Sequence, residues 1–448
     1  MLLGALHDSA VAAQPAQAGA AVTPESQVVP RREQSRLARL LLFGALVAVG
    51  PLTIDMYLAA FPAVVDDLAT TDATVQLTLT ATLAGLATGQ LLIGALSDSL
   101  GRRLPLITAL TAYVLTSALI AVSDSITTLL LLRFVQGLTA AAGMVLSQAM
   151  VRDLYRGPVM ATFISRLFLI VGVAPILAPT LGAQFLEFGS WRTIFWGLAA
   201  FGVALVILSL VFVRETLPPH RRRRAGIGPV LSSYRVLATD RRYVGLVLTA
   251  CTAMGSLFAY ISSGTFIFQD LYGLSTQQYA LVFAGGAGAL TVSSQINGSL
   301  VKRFHPAAIM RIALPAGAVV AGLLLVAALA DWGMVSIIVG VIAVMFVVGF
   351  VMPNSPVIAL NDHGDRAGAA AALLGASIFV FGALISPISG AFEASSAVPM
   401  AAIMVGCSVT SLLVFWLLAR PGEILREMAW SEDADDDVRV GAEPAPVA

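Results

Sequence analysis

The chain has 448 residues, 58% of them hydrophobic and only 12% charged, against roughly 25% charged in an ordinary soluble domain. Its formal net charge is zero, which argues against a nucleic-acid partner or a polyanionic substrate. The apolar residues come in blocks of about twenty, the length a helix needs to cross a ~30 Å hydrocarbon core. The chain therefore reads as an all-α polytopic membrane protein.

Residues 1–36 open with "MLLGALHDSAVAAQPAQA", which has no basic region before its apolar run and is broken by His7 and Asp8. They read as a disordered cytoplasmic tail, not a signal peptide. Twelve spans follow, at 38–60, 75–97, 104–123, 126–150, 160–186, 191–213, 243–268, 276–300, 307–329, 333–358, 367–391 and 397–419. The long connection at 214–242 divides them into two six-helix bundles, 37–213 and 243–419, and 420–448 forms a C-terminal tail containing the acidic "SEDADDD".

Orientation follows from the arginines, because Lys and Arg stay on the cytoplasmic side. One set of connections carries Arg31, Arg32 and Arg36, then Arg102 and Arg103, Arg152 and Arg156, Arg221 to Arg224, Lys302 and Arg303, Arg366, and Arg420. The other set carries Asp66, Asp67, Asp72, Asp124, Glu187, Asp270, Asp331 and Glu393, with Arg192 its one basic residue. Both termini are thus expected in the cytoplasm. The basic run 221–224 is explained by this anchoring and by attraction to anionic lipid.

The halves resemble each other. "GALSD" (94–98) closes the second span and "GSLVK" (298–302) the eighth, while "PTLGA" (179–183) in the fifth span echoes "PISGA" (387–391) in the eleventh. Two pseudo-symmetric bundles are the expectation. Cys251 and Cys407 lie in separate spans and read as buried free thiols, and no Cys/His cluster suggests a metal.

An ionisable residue inside a span is expensive, and by default a functional candidate. Asp55 and Arg133 sit at similar depth in the outer half of the first and fourth spans, judged by a rise of ~1.5 Å per residue. A carboxylate in a partly dry cavity binds its proton more tightly, and a nearby arginine weakens that hold. Asp55 is therefore the expected proton carrier and Arg133 its coupling partner. The alternatives are a loop-capping carboxylate for Asp55 and a structural tie to backbone carbonyls for Arg133. Arg166, nearer the cytoplasmic side, reads as snorkelling to the interface. Gln76, Gln90, Gln136, Gln148, Gln295, Asn297 and Asn354 read mainly as interhelical hydrogen-bonders. Tyr57, Tyr260 and Phe266, with Gln136, are the candidates to line a cavity for a lipophilic substrate. On the fifth span, Gly172 and Gly182 permit close packing, while Pro175 and Pro179 favour bending.

Twelve spans in two similar halves resemble the major facilitator superfamily. "GALSDSLGRR" (94–103) is similar to that family's signature between helices 2 and 3, "LLRFVQG" (131–137) to its helix-4 motif, and "APILAPTLGAQF" (174–185) occupies the place of the antiporter motif. A closer resemblance, to Bcr/CflA drug:proton antiporters, rests on "IDMYLAAFPAVVDDL" (54–68), "VQLTLTATLAGLATGQLLIGALSD" (75–98), "VRDLY" (151–155) and "FAYISSGTFIFQDLYGLS" (258–275). Ser99, Ala178–Pro179 and Gly264–Thr265 depart from the usual pattern.

The resemblance implies the major facilitator fold in a bacterial cytoplasmic membrane. It also implies proton-driven export of lipophilic drugs by a monomer embedded in lipid, with no cofactor beyond the proton gradient. It makes the corner at 94–103 a conformational latch, whose contacts form only when the cytoplasmic side is closed and so favour the outward-facing state. Gly94 would let the second span approach the eleventh, and Asp98 would face the eleventh's N-terminal end near Ala367. There a helix dipole favours negative charge by ~0.3–2 kcal/mol. Arg102 would bridge Asp98 to Asp153, with Gly101 and Arg103 completing the turn. Lys302 replaces the aspartate in the second half, so the latch is expected on one side. Transport of one metabolite or nutrient is the runner-up. A membrane receptor would need a soluble module that the short tails do not supply. No phosphate-binding loop or hydrolytic constellation suggests an enzyme.

Overall fold

The computed structural model describes residues 36–222, 227–361, 363, 366–390 and 396–424. The expectations for the tails at 1–35 and 425–448, for Arg223, Arg224 and Glu393 lie outside them. Twelve helices are long and apolar enough to cross a membrane. In the first half these are α1 (Arg36–Leu58), α3 (Asp72–Leu100), α4 (Arg103–Ala121), α5 (Ile126–Leu154), α6 (Gly157–Glu187) and α7 (Arg192–Phe212). In the second they are α9 (Arg241–Thr265), α10 (Thr276–Leu300), α11 (Pro306–Leu329), α12 (Met334–Asn361), α13 (Ala367–Gly390) and α14 (Val398–Val414). Two further helices occupy stretches read as connections, α2 (Phe61–Asp67) and α8 (Ile227–Thr239). The helices α9 and α14 each continue into a π-helical turn, at Phe266–Leu271 and Phe415–Ala419.

Local chemistry sets the helix ends. The Thr71 hydroxyl accepts from the Thr74 N–H at 3.3 Å to start α3, and Ser275 and Gln278 form a capping box on α10. The Asp240 carboxylate accepts from the N–H groups of Arg242 and Tyr243 to start α9. Prolines inside α1, α6, α12 and α13 remove backbone donors, which membrane helices tolerate because neighbouring groups re-satisfy the freed carbonyls.

Packing repeats helix for helix between the halves. In the first half α1 packs on α5, α6 and α7, α3 on α5, and α4 on α5 and α7; in the second α9 packs on α12, α13 and α14, α10 on α12, and α11 on α12 and α14. The two bundles meet through α3 against α13 and, by the same symmetry, α10 against α6. Backbone contact within the first bundle requires glycine. A Cβ at Gly85 would strike the Phe134 carbonyl, one at Gly137 the Thr82 carbonyl, and one at Gly143 the Leu46 carbonyl. With no hydrophobic drive between helices in lipid, such close approach is what holds them together. Large apolar side chains such as Leu131, Ile312 and Val335 remain exposed on the outside of the bundles, as a lipid-facing surface requires.

At the end bearing Asp66 and Asp124, the outer end by the arginine distribution, Arg192 ties three connections together. It donates to Asp67 at 2.5 Å and to Asp124 at 2.7 Å, and the neighbouring Trp191 indole donates to Asp67 at 3.1 Å. The Arg192 and Trp191 hydrogen bonds hold the Asp67 carboxyl below the usual carboxylate range. The single arginine on the acidic side is thus a staple.

Candidate functional site

The α1–α5 contact places Asp55 and Arg133 in the half of the first bundle that carries Asp66 and Asp124. Asp55 is only 4% exposed, and no hydrogen bond or ion pair of its carboxylate is found among the described residues. Arg133 is fully buried. Its Nη1 donates to the Thr53 carbonyl at 3.1 Å and to Gln136 Oε1 at 2.7 Å, while Nε and Nη2 have no partner. The guanidinium lies 4.6 Å from the Tyr57 ring centre and 5.6 Å from that of Phe195. These aromatic faces offset part of the desolvation of the charge. The two candidates therefore sit on adjacent helices without an ion pair, and Arg133 adopts the backbone tie that was the alternative reading.

A web of side chains fixes this arginine. The Gln136 amide donates to Ser117 Oγ at 2.8 Å, Tyr113 and Thr53 share a 2.7 Å hydroxyl bond, and Thr78 donates to the Tyr57 hydroxyl at 3.2 Å. Thr53, Tyr113 and Ser117 were not singled out in the sequence, because single hydroxyls in spans give no compositional signal.

The four cavity candidates are all closed off in this state. Tyr57, Gln136, Tyr260 and Phe266 are each at most 1% exposed. Tyr57 lies against Arg133 and Gln136 bonds it. Tyr260 stacks on Phe283 at 5.4 Å with its hydroxyl unpartnered. Phe266 meets Phe61 of the other bundle at 5.8 Å. Above them, Thr265 donates to the Leu58 carbonyl and Gln269 to the Ala59 carbonyl, joining the bundles. Cys251 and Cys407 are buried free thiols, and Arg166 is exposed.

On α6, the Gly172 carbonyl accepts from the Thr291 hydroxyl of α10 at 2.8 Å, and a Cβ at Gly182 would strike the Met56 carbonyl of α1. Pro175 and Pro179 lie between these contacts. One helix thus packs on its own bundle and on the opposite one.

At the other end of the molecule, α3 stops at Gly101, whose φ of +95° suits glycine. Arg102 Nη1 meets Asp98 at 2.6 Å and its Nε meets Asp153 at 3.0 Å; the Thr216 hydroxyl also donates to Asp153. The Glu215 carboxylate accepts from the backbone N–H groups of Arg102 at 2.8 Å, Leu217 at 3.0 Å and Arg103 at 3.3 Å. It thereby sits at the N-terminus of α4, where the helix dipole favours an anion. Burial pushes Glu215 up, but these N–H bonds and nearby Arg222 outweigh it and hold the carboxyl below its usual value. Arg103 donates to the Leu210 carbonyl. Burial opposes the Arg102 charge, but its two carboxylate partners raise its proton affinity on balance.

Two of the cross-bundle contacts expected of the closed latch are not formed in this structure. Asp98 is 44% exposed and bonds within its own bundle; no described bond joins it to the start of α13. Gly94 faces Val145 of α5, whose Cγ1 lies 3.7 Å from where a Cβ would be. The tight approach of α3 to α13 is instead at Gly375, where a Cβ would strike the Gln90 amide. Glu215 was missed, although an acid on the basic side of the chain was a usable signal.

A profile described as Major Facilitator Superfamily matches residues 41–387. The chain belongs to the major facilitator superfamily. It is 38% identical over 389 residues to "Uncharacterized MFS-type transporter YdgK" of Bacillus subtilis, covering 86% of this chain and 96% of that protein. It is 28% identical over 390 residues to a "Bicyclomycin resistance protein homolog" of Haemophilus influenzae, covering 86% and 97%. Among solved structures, a bacterial homologue of the human lysosomal transporter Spinster, inward-facing and occupied, superposes with a TM-score of 0.68 at 16% identity, covering 87% and 98%. The protein is a multi-pass membrane transporter of this family, and the drug-resistance relatives agree with its Bcr/CflA resemblance.

Proposed function

We propose that this transporter exports lipophilic drug-like compounds from the bacterial cytoplasm in exchange for protons, by alternating access, and that the structure is its inward-facing state. The observation that carries the reading is the pair of buried, mutually unpaired ionisable groups, Asp55 and Arg133, on adjacent helices of one bundle. A carboxylate with no counter-charge in low dielectric is held neutral by its proton, whereas exposure to water or approach of a guanidinium favours the charged form. Opening the outer end would hydrate Asp55 and let it exchange a proton with the outside. Opening the inner end would let it exchange with the cytoplasm and the substrate. Arg133 would set the difference between the two.

The names of the bicyclomycin- and chloramphenicol-resistance relatives support drugs as the substrate class. Two aromatic groups, Tyr57 with Phe61 and Phe266, and Tyr260 with Phe268 and Phe283, are suited to a lipophilic molecule once the outer half opens. Expression in a bacterium stripped of its own efflux pumps tests this. Lower accumulation of chloramphenicol or bicyclomycin, abolished by collapsing the proton gradient, is the expected result. Unchanged accumulation of every drug together with gradient-dependent movement of a single nutrient would replace the reading with that of a specific metabolite transporter.

A further inference from the structure

The segment "ISSGTFIF" (261–268) of the second half aligns end to end with "IDMYLAAF" (54–61) of the first, Ile on Ile and Phe on Phe. Because α9 takes the packing role of α1, Ser262 stands at the place of Asp55. The two positions differ in their bonding. Asp55 has no bonding partner among the described residues, whereas Ser262 is fully engaged across the bundle interface. Its hydroxyl lies 2.9 Å from Gln76 Oε1 of α3, 3.1 Å from the Ser386 hydroxyl of α13 and 3.2 Å from the Ser386 carbonyl. Ser386 Oγ in turn donates to the Gln76 backbone carbonyl at 3.3 Å. All three residues are buried, Gln76 at 3% and both serines at 0%.

We infer that Gln76, Ser262 and Ser386 form a polar clasp that holds the outer end shut and sets the balance between the two access states. The clasp joins one helix of the first bundle to two of the second, and it lies in the layer of the Thr265–Leu58 bridge. Outward opening separates these helices, so the clasp breaks in every cycle and its groups meet water. A buried hydrogen bond contributes about 1 kcal/mol net, and more when its loss strands a partner. Removing it therefore shifts the equilibrium toward the outward-open form by roughly 5–10-fold. The three residues act as positioning residues for transport. The inference rests on the alternating-access reading but not on the identity of the substrate.

The test uses the full-length protein with Cys251 and Cys407 replaced by alanine and Ala59→Cys as reporter, since Ala59 is 2% exposed at the closed outer end. A membrane-impermeant maleimide is added from the outer face. Gln76→Ala and Ser262→Ala should each raise the labelling rate about 5–10-fold. The double variant should match Ser262→Ala, because that single variant already removes the Gln76–Ser262 bond. Asn297→Ala is the control, because the reciprocal Asn297–Asn354 amide pair is equally buried but lies within one bundle. It should lower thermal stability without raising labelling. Unchanged labelling in both clasp variants, or an equal rise in Asn297→Ala, would overturn the clasp. Labelling needs no substrate, so a failure of drug export with the clasp effect intact would count against the proposed cargo alone.

Discussion

Arg133 donates to the backbone carbonyl of Thr53 at 3.1 Å, and the carboxylate of Asp55, two residues further along the same helix, remains unpaired. A charge that enters the protein interior without a counter-ion is stable only if other groups hold it. Here they are one carbonyl, one amide oxygen and two aromatic faces. Two guanidinium nitrogens, Nε and Nη2, have no partner among the described residues, so the group is poised to accept an anionic partner without dismantling its existing bonds.

Breaking the support of Arg133 should therefore be expensive. Gln136→Leu removes the 2.7 Å acceptor of Arg133 and the donor to Ser117 Oγ, whose own proton still reaches the Tyr113 carbonyl. It should destabilise the protein by about 1–3 kcal/mol, read as a lower midpoint in a detergent thermal melt. Gln136→Glu keeps an acceptor and should retain most of the stability. A melt unchanged by Gln136→Leu would show that the web does not hold the arginine.

Two glycines separate packing from gating. Gly182→Ala places a Cβ on the Met56 carbonyl, a rigid backbone contact, and should cost about 1–3 kcal/mol with loss of folded protein. Gly94→Ala meets only Val145 at ordinary contact distance, so the variant should fold as well as the parent. If it nevertheless transports poorly, α3 approaches another helix closely at Gly94 in the state not seen here. Equal melting midpoints for Gly182→Ala and the parent would contradict the packing account.

At the corner, the two acids around Arg102 should contribute unequally. Asp153 is 17% exposed and Asp98 44%. A double-mutant cycle of Arg102→Ala with Asp153→Ala should give a coupling of about 1–3 kcal/mol, and with Asp98→Ala about 0.3–0.5 kcal/mol. The reverse order would show that Asp98, not Asp153, is the arginine's main partner in the resting state.

Glu215 predicts a pH dependence of defined sign. Its folded-state carboxyl titrates below the ordinary value of 4.5, so the carboxylate's stabilisation is fully present above that value. It is lost as pH falls through the lower, folded-state value. The melting-midpoint difference between the parent and Glu215→Gln should be constant near neutrality and shrink in acid, below about pH 4.5. A difference that grows on acidification would refute the assignment.

Much of the fold was legible because the membrane imposes it. A span needs about twenty apolar residues, so twelve could be read directly, and "PTLGA" against "PISGA" exposed the repeat. The short α2 and α8 were not legible, since neither needs to cross the membrane, and the π-turn at Phe266 leaves no compositional mark. For the site, depth along a helix follows from residue count, and it put Asp55 and Arg133 at one level. The direction each side chain faces does not follow, and it decided that Arg133 reaches Thr53. Glu215 was hidden for a different reason. It bonds Arg102 from 113 residues away, a pairing that only the packing of α7 beside α4 creates.

Everted membrane vesicles with a preformed proton gradient test the central claim most directly. With the parent protein, adding a transported drug should release protons from the vesicle lumen and partly collapse the gradient. With Asp55→Asn, present in the membrane at the same level and with an unchanged melt, the same drug should produce no proton signal. Normal drug-induced proton release in Asp55→Asn would contradict the account and place the proton-carrying group elsewhere.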